Sequence, residues 1–200
     1  VYSSIKLFSK YILNIKSLDK IILERPRKIK SLPKVIDKAF LLGKINKISN
    51  LKHKAIISLG YSVGLRVSEV VNLKMEDIDS DRMVIYIKDA KGNKDRVVPL
   101  SKSILQLLRS YYELFKPHVY LFNGQVKPQY TASSCNKIVK KYLGEKYHFH
   151  LLRHSSFTSM LESGTDISII QKIAGHSKTD TTRIYAQVST ELLKQANLPI

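Results

Sequence analysis

Residues 82–100, RMVIYIKDAKGNKDRVVPL, are where the hydrophobic period of this 200-residue chain switches from helical to alternating. MVIYIK and DRVVPL read as two β-rich strands, and AKGNK between them holds the glycine and asparagine that hairpin turns prefer. HVYLF, residues 118–122, is short enough to add a third strand. Outward from this point the pattern is helical in both directions. SLPKVIDKAFLLGKI and NLKHKAIISLGYSVG precede it, with Gly64 closing the second helix, and RVSEVVNLKMEDI starts another. After it come SILQLLRSYYELF, TASSCNKIVKKYLG, HLLRHSSFTSMLESG, DISIIQKIAGH, TDTTRIYAQV and STELLKQAN. The expected class is therefore mainly α with a small three-stranded antiparallel sheet, an α+β domain.

The chain is 44% apolar, enough for a core, and carries a formal net charge of +18. The excess is uneven. Residues 1–50 hold 12 basic against 3 acidic side chains, and residues 101–150 hold 8 against 2. Such clustering suits an anionic polymer, because Lys and Arg displace condensed counterions from phosphates. ERPRKIKSLPKVID, residues 24–37, concentrates Arg25, Arg27, Lys28, Lys30 and Lys34 around two prolines without apolar periodicity, and reads as a linker able to lie along a phosphate backbone. The single cysteine, Cys135, excludes an intrachain disulfide and a multi-cysteine zinc site, and is expected to be buried. The longest weakly polar run, AIISLGYSVGL, falls short of the roughly 20 residues that a membrane span needs. With no signal peptide visible, a soluble intracellular protein is expected.

Four clusters join functional side chains to glycines or helix starts. In GLRVSEVVNL, Arg66 opens a helix just after Gly64; read alone, it is a surface arginine paired to Glu69. Lys91 lies at the tip of the expected hairpin, where a lysine is either merely solvated or inserted toward a ligand as a proton donor or phosphate contact. HFHLLRH places His150, Arg153 and His154 on one helical face, with His148 just before. An arginine among those histidines repels a divalent cation and welcomes a phosphate, so no metal is expected. GHSKTDTTRIYAQV, residues 175–188, ends one helix at His176 and sets Tyr185 on the next. The combined inventory is that of phosphoryl transfer without a metal: cations for the non-bridging oxygens, an acid for the leaving oxygen, and a side-chain oxygen to attack.

GLRVSEVVNL, KGNKDRVVPL, HLLRHSSFTSML and GHSKTDTTRIYAQV, in this order and at these distances, resemble the tyrosine recombinases, or phage integrase family, and in particular the Xer-type recombinases of bacteria and archaea. The resemblance covers about residues 33–200 and matches at Arg66, Lys91, His150, Arg153, His176 and Tyr185. It implies that Tyr185 attacks a scissile phosphodiester to form a 3′-phosphotyrosyl bond and free a 5′-hydroxyl. Arg66 and Arg153 would clamp the non-bridging oxygens, and His176 would add a hydrogen bond. Lys91 would protonate the leaving oxygen, and His150 would assist proton transfer at the tyrosine. Lys94, beside Lys91, joins the basic linker residues as an expected DNA contact.

By the same resemblance no cofactor, neither metal nor ATP, is required. The partners are double-stranded DNA and a homo- or heterotetramer of such chains, and the place of action is the cytoplasm of a prokaryote or a virus's host. STELLKQANLPI resembles the C-terminal segment that family members exchange between neighbours. Residues 1–24 are expected to be the last helix of an N-terminal core-binding domain, 25–32 a basic linker and 33–200 the catalytic domain, in a truncated or cleaved chain. Two other readings share much of this pattern: strand relaxation of the type IB topoisomerase kind, and a non-catalytic DNA-binding regulator.

Overall fold

The computed structural model describes residues 8, 11–12, 34–88, 95–125, 127–176, 182 and 185. The chain divides into two units, residues 1–31 and 32–200. Of the first, Phe8, Tyr11 and Ile12 are described, and the Ile12 amide donates to the Phe8 carbonyl at 2.8 Å, as in one helical turn. The second unit runs α1 (Lys38–Asn46), α2 (Leu51–Ser62), α3 (Val67–Asn72), a 3₁₀ turn (Met75–Asp77), β1 (Ile78–Asp79), β2 (Val84–Ile87) and β3 (Arg96–Pro99). It continues with α4 (Lys102–Phe115), α5 (Ala132–Leu143), α6 (Phe149–Glu162) and α7 (Ile167–Ala174). This is the expected class, mainly helical with one three-stranded antiparallel sheet.

Most helix starts are set by a side-chain oxygen that accepts an otherwise orphaned backbone N–H. Asp37 accepts from the Phe40 amide at 2.7 Å, Asn50 from His53 at 3.0 Å, Thr131 from Ser134 at 3.1 Å and Asp166 from Ser168 at 2.7 Å. The Asp37 cap starts α1 at Lys38, several residues later than periodicity alone suggests. Along α4, Ile104, Leu108 and Tyr111 form one buried stripe. In α2, by contrast, Ala55 to Gly60 are all buried, because α4 and α6 pack on it from different sides. That central helix organises the core. Cys135 is buried as expected, and burial pushes its thiol up to about 12, leaving it inert as a nucleophile.

The sheet order is β1–β2–β3, with Ile85 opposite Val98 and Ile87 opposite Arg96. Its third strand is Ile78–Asp79, and not HVYLF. Tyr120 makes an isolated bridge with Lys74, while the Leu121 amide donates to the Leu73 carbonyl at 2.7 Å. By engaging Leu73, that segment helps end α3 at Asn72, short of the long helix the sequence suggests. Asp79 Oδ1 then accepts from the Arg82 amide at 2.9 Å, folding β1 tightly back onto β2. A two-residue strand at the end of an apolar helical pattern carries no period of its own to be read.

Candidate active site

The turn Gly64–Leu65–Arg66 joins α2 to α3. Gly64 takes φ +63°, and a Cβ there would lie 2.6 Å from the Phe157 ring, so only glycine fits. Arg66 precedes α3, and its backbone N–H donates to Glu69 Oε2 at 2.8 Å while its Nη1 donates to Glu69 Oε1 at 2.7 Å. The same carboxylate takes a two-pronged approach from Arg96, Nη1 to Oε1 at 2.9 Å and Nη2 to Oε2 at 2.8 Å. Burial pushes the Glu69 carboxyl up, but the hydrogen bonds and charge of Arg96, then those of Arg66, override it and hold the group at about 2.

Arg153 sits in the first half of α6 and is only 1% exposed. Its Nη1 donates to the Gly64 carbonyl at 2.5 Å and its Nη2 to the Ala174 carbonyl at 2.6 Å, while its guanidinium lies over the Phe157 ring at 4.7 Å. It thus ties the turn before Arg66 to the end of α7. Burial, then repulsion from Arg66, lowers its pKa to about 10, so it stays charged at neutral pH.

Gly175, with φ +63°, ends α7 and turns His176 back over that end. His176 Nε2 lies 3.2 Å from Arg153 Nη2 and its Nδ1 3.0 Å from Thr182 Oγ1. A guanidinium can only donate, so Nε2 accepts and Nδ1 carries the proton. Burial and the charges of Arg153, Arg66 and Arg96 depress His176 to about 4. Tyr185 is 2% exposed, with its ring edge-on to Phe157 at 5.3 Å and near-parallel to His176 at 6.5 Å. Its hydroxyl lies 3.1 Å from His154 Nδ1. Burial raises the phenol's pKa, with Arg153 and Arg66 opposing. Burial, then His150 and Arg153, depress His154 to about 4.

The structure brings Arg153, His176 and Tyr185 into one hydrogen-bonded and ring-packed cluster, with Arg66 near enough for its charge to lower the pKa of Arg153 and His176. His150 is exposed one turn before His154, its ring edge-on to that neighbour at 4.4 Å. It is thus His154, and not His150, that hydrogen-bonds the Tyr185 hydroxyl. Lys34 is exposed at the start of the described helical unit. Lys91, Lys94, Arg25, Arg27, Lys28 and Lys30 lie outside the described residues. So do STELLKQANLPI and most of the expected first helix. Among the described residues no group of three or more His, Cys, Asp or Glu side chains is arranged to hold a metal ion, and none of the helices is long and apolar enough to cross a membrane. Sequence reasoning passed over Arg96. Its signal was the strand alternation that turns Arg96 and Val98 inward while Val97 and Pro99 face out, since an inward arginine demands a partner.

The titration and the packing of the site each have a measurable consequence. The histidines at about 4 and the carboxylate at about 2 bind fewer protons folded than unfolded, against ordinary values of 6.5 and 4.5. Stability is therefore expected to fall as pH drops from 6.5 toward 4, and further from 4.5 toward 2 for Glu69. Urea midpoints should decline between about pH 7.5 and about pH 5, and His176→Gln should flatten the slope. An unchanged midpoint across that range contradicts the assignment. Second, Gly64→Ala must push a methyl group against Phe157 from a left-handed backbone. A loss of about 1–3 kcal/mol is expected, read as a drop in Tm. Because Phe157 underlies Arg153 and Tyr185, the site should loosen with it.

The family model described as the phage integrase family matches residues 29–191. The chain is 39% identical over 181 residues to a protein named tyrosine recombinase XerA from Pyrococcus horikoshii, covering 87% of this chain and 64% of that protein's length. Its fold matches a crystal structure of XerA recombinase with a TM-score of 0.73 at 29% identity, over 96% of this chain and 71% of that one. It also matches XerH site-specific recombinase bound to its difH substrate in a pre-cleavage complex, with a TM-score of 0.68 at 27% identity, over 78% of this chain and 51% of that one.

Proposed function

Because this chain belongs to the phage integrase family, we propose that it is a site-specific DNA recombinase that cuts and rejoins strands through a covalent bond to Tyr185. The observation that carries the reading is the convergence of a hydrogen-bonded phenol, two arginines and two neutral histidines on one spot. The relatives' names, tyrosine recombinase and site-specific recombinase bound to a DNA substrate, support the same activity.

In this mechanism Arg66 and His150, which reach the surface, meet the scissile phosphodiester first. Arg153 and Tyr185 are almost wholly covered, so the phenol has to be uncovered toward the phosphate to attack in line. The Tyr185 oxygen bonds to phosphorus, the bond to the 5′ oxygen breaks, and Lys91 supplies that oxygen's proton. The phenol's own proton passes to a neutral imidazole, with His154 at hydrogen-bond distance and His150 one turn away. The phosphate's negative charge offsets the arginines that now depress His176. The ring can then take up a proton at Nε2 and donate it to a non-bridging oxygen. A 5′-hydroxyl from the partner strand next attacks the phosphotyrosine and restores the phenol. Bond energy is kept in the ester, so no ATP is needed, and Arg66, Arg153 and Lys91 supply the positive charge. Four copies on two duplex sites complete the exchange, with the basic stretch from Arg25 to Lys34 and Lys94 along the phosphate backbone.

The test is a duplex nicked beside the candidate cleavage position, so that the short leaving fragment diffuses away. A covalent protein–DNA adduct should accumulate in EDTA and survive denaturation. Tight DNA binding without adduct on any site would instead support a regulator of the same fold. Relaxation of supercoiled plasmid without exchange between two sites would point to the topoisomerase reading.

A further inference from the structure

Arg96 opens β3, and its side chain is 8% exposed. Its planar fork engages two partners in different parts of the chain. Nη1 and Nη2 hold the two oxygens of Glu69, and Nε donates to the Ile173 carbonyl at 2.7 Å. Glu69 in turn holds Arg66 through both its backbone N–H and its guanidinium. Ile173 is the neighbour of Ala174, whose carbonyl Arg153 takes, and three residues short of His176. At Gly175 a Cβ would lie 3.0 Å from Arg96 Cδ, so the end of α7 closes directly on this side chain. Arg96 therefore lies between the start of α3, which carries Arg66, and the end of α7, which leads to His176.

We propose that Arg96 is a positioning residue for strand cleavage: acting through Glu69, it sets Arg66 at a fixed distance from the Arg153–His176 side of the phosphate clamp. The inference rests on the recombinase reading above. Among the described residues the hydrogen bonds of Arg96 run to Glu69 and to the Ile173 carbonyl, and neither partner is a reacting group. Simple neutralisation of Glu69 does not account for the bond from Nε to the Ile173 carbonyl, which joins two elements without touching the carboxylate. Three donors in one plane are an arginine's property; a lysine offers a point charge and cannot span both partners.

The experiment measures single-turnover adduct formation on the nicked duplex at saturating DNA, with DNA affinity measured separately. The proteins are wild type, Arg96→Met, Arg96→Lys, Arg66→Ala and the Arg66→Ala/Arg96→Met double variant. Misplacing Arg66 by an ångström should slow adduct formation on the order of 10²-fold in both Arg96 variants, with affinity held within about 3-fold. With Arg66 absent there is nothing left to position, so Arg96→Met should cost less than about 3-fold in that background. A wild-type rate in Arg96→Met overturns the proposal. Full rescue by Arg96→Lys also overturns it, leaving charge alone as the role. So does an equal loss with and without Arg66, or unfolding of both Arg96 variants, either of which makes the role structural. If the wild type itself forms no adduct, the recombinase reading fails. The proposal is then judged on the Arg66 Nε resonance, ordered in wild type and mobile in Arg96→Met; equal order in both sinks it.

Discussion

Arg153→Ala is expected to cost adduct formation on the order of 10²–10³-fold and to lower stability by about 3–5 kcal/mol at the same time. The first effect follows from losing the cation that the proposed mechanism sets against the phosphate. The second has a different origin. Arg153 satisfies the carbonyls of Gly64 and Ala174, and both are left without it when the side chain is cut back. A void also opens above Phe157, whose ring the guanidinium covers. A fall in Tm of about 10 °C is therefore expected for a chain of this size. Arg153→Lys separates the two effects. It keeps a charge and most of the volume but cannot bridge both carbonyls, so it should recover part of the stability and little of the rate. An Arg153→Ala protein with unchanged Tm would contradict the bridging role. One with unchanged cleavage would contradict the clamp.

Tyr185→Phe should abolish adduct formation outright while leaving the fold intact. Phenylalanine keeps the ring that packs edge-on to Phe157 and alongside His176. Only the hydroxyl is lost, with its hydrogen bond to His154, at a cost of about 0.5–1.5 kcal/mol. DNA affinity should stay close to wild type, because the phenol is buried and adds nothing to the cationic surface. The measurement is a denaturing gel of the nicked-duplex reaction beside a binding curve. An adduct of undiminished yield would remove Tyr185 as the nucleophile.

Much of this organisation is legible in the sequence itself. Capping residues and apolar spacing mark the helices from Leu51 to Ala174, and the change of period at MVIYIK marks β2 and β3. The third strand escaped because two residues, Ile78 and Asp79, are too short to show alternation, whereas HVYLF looks like a strand in isolation. In the candidate site, helical spacing placed His150, Arg153 and His154 on one face. Which histidine meets the phenol depends on where Tyr185 docks, 31 residues beyond His154, and no local rule supplies that. Arg96 and Glu69 stand 27 residues apart for the same reason. Their pairing is decided by how β3 and α3 pack, and a charge turned inward on a strand was its only trace. Lys91 sits in the stretch that first suggested the fold, and it lies outside the described residues.

In the proposed mechanism a DNA strand becomes esterified to the Tyr185 oxygen. Digesting the denatured adduct with protease and nuclease and sequencing the nucleotide-bearing peptide by mass spectrometry tests it most directly. A 3′-linked nucleotide on Tyr185, with a 5′-hydroxyl on the released fragment, is the predicted result. A nucleotide on any other residue, or cleavage leaving a free phosphate at either DNA end and no modified peptide, would contradict the account.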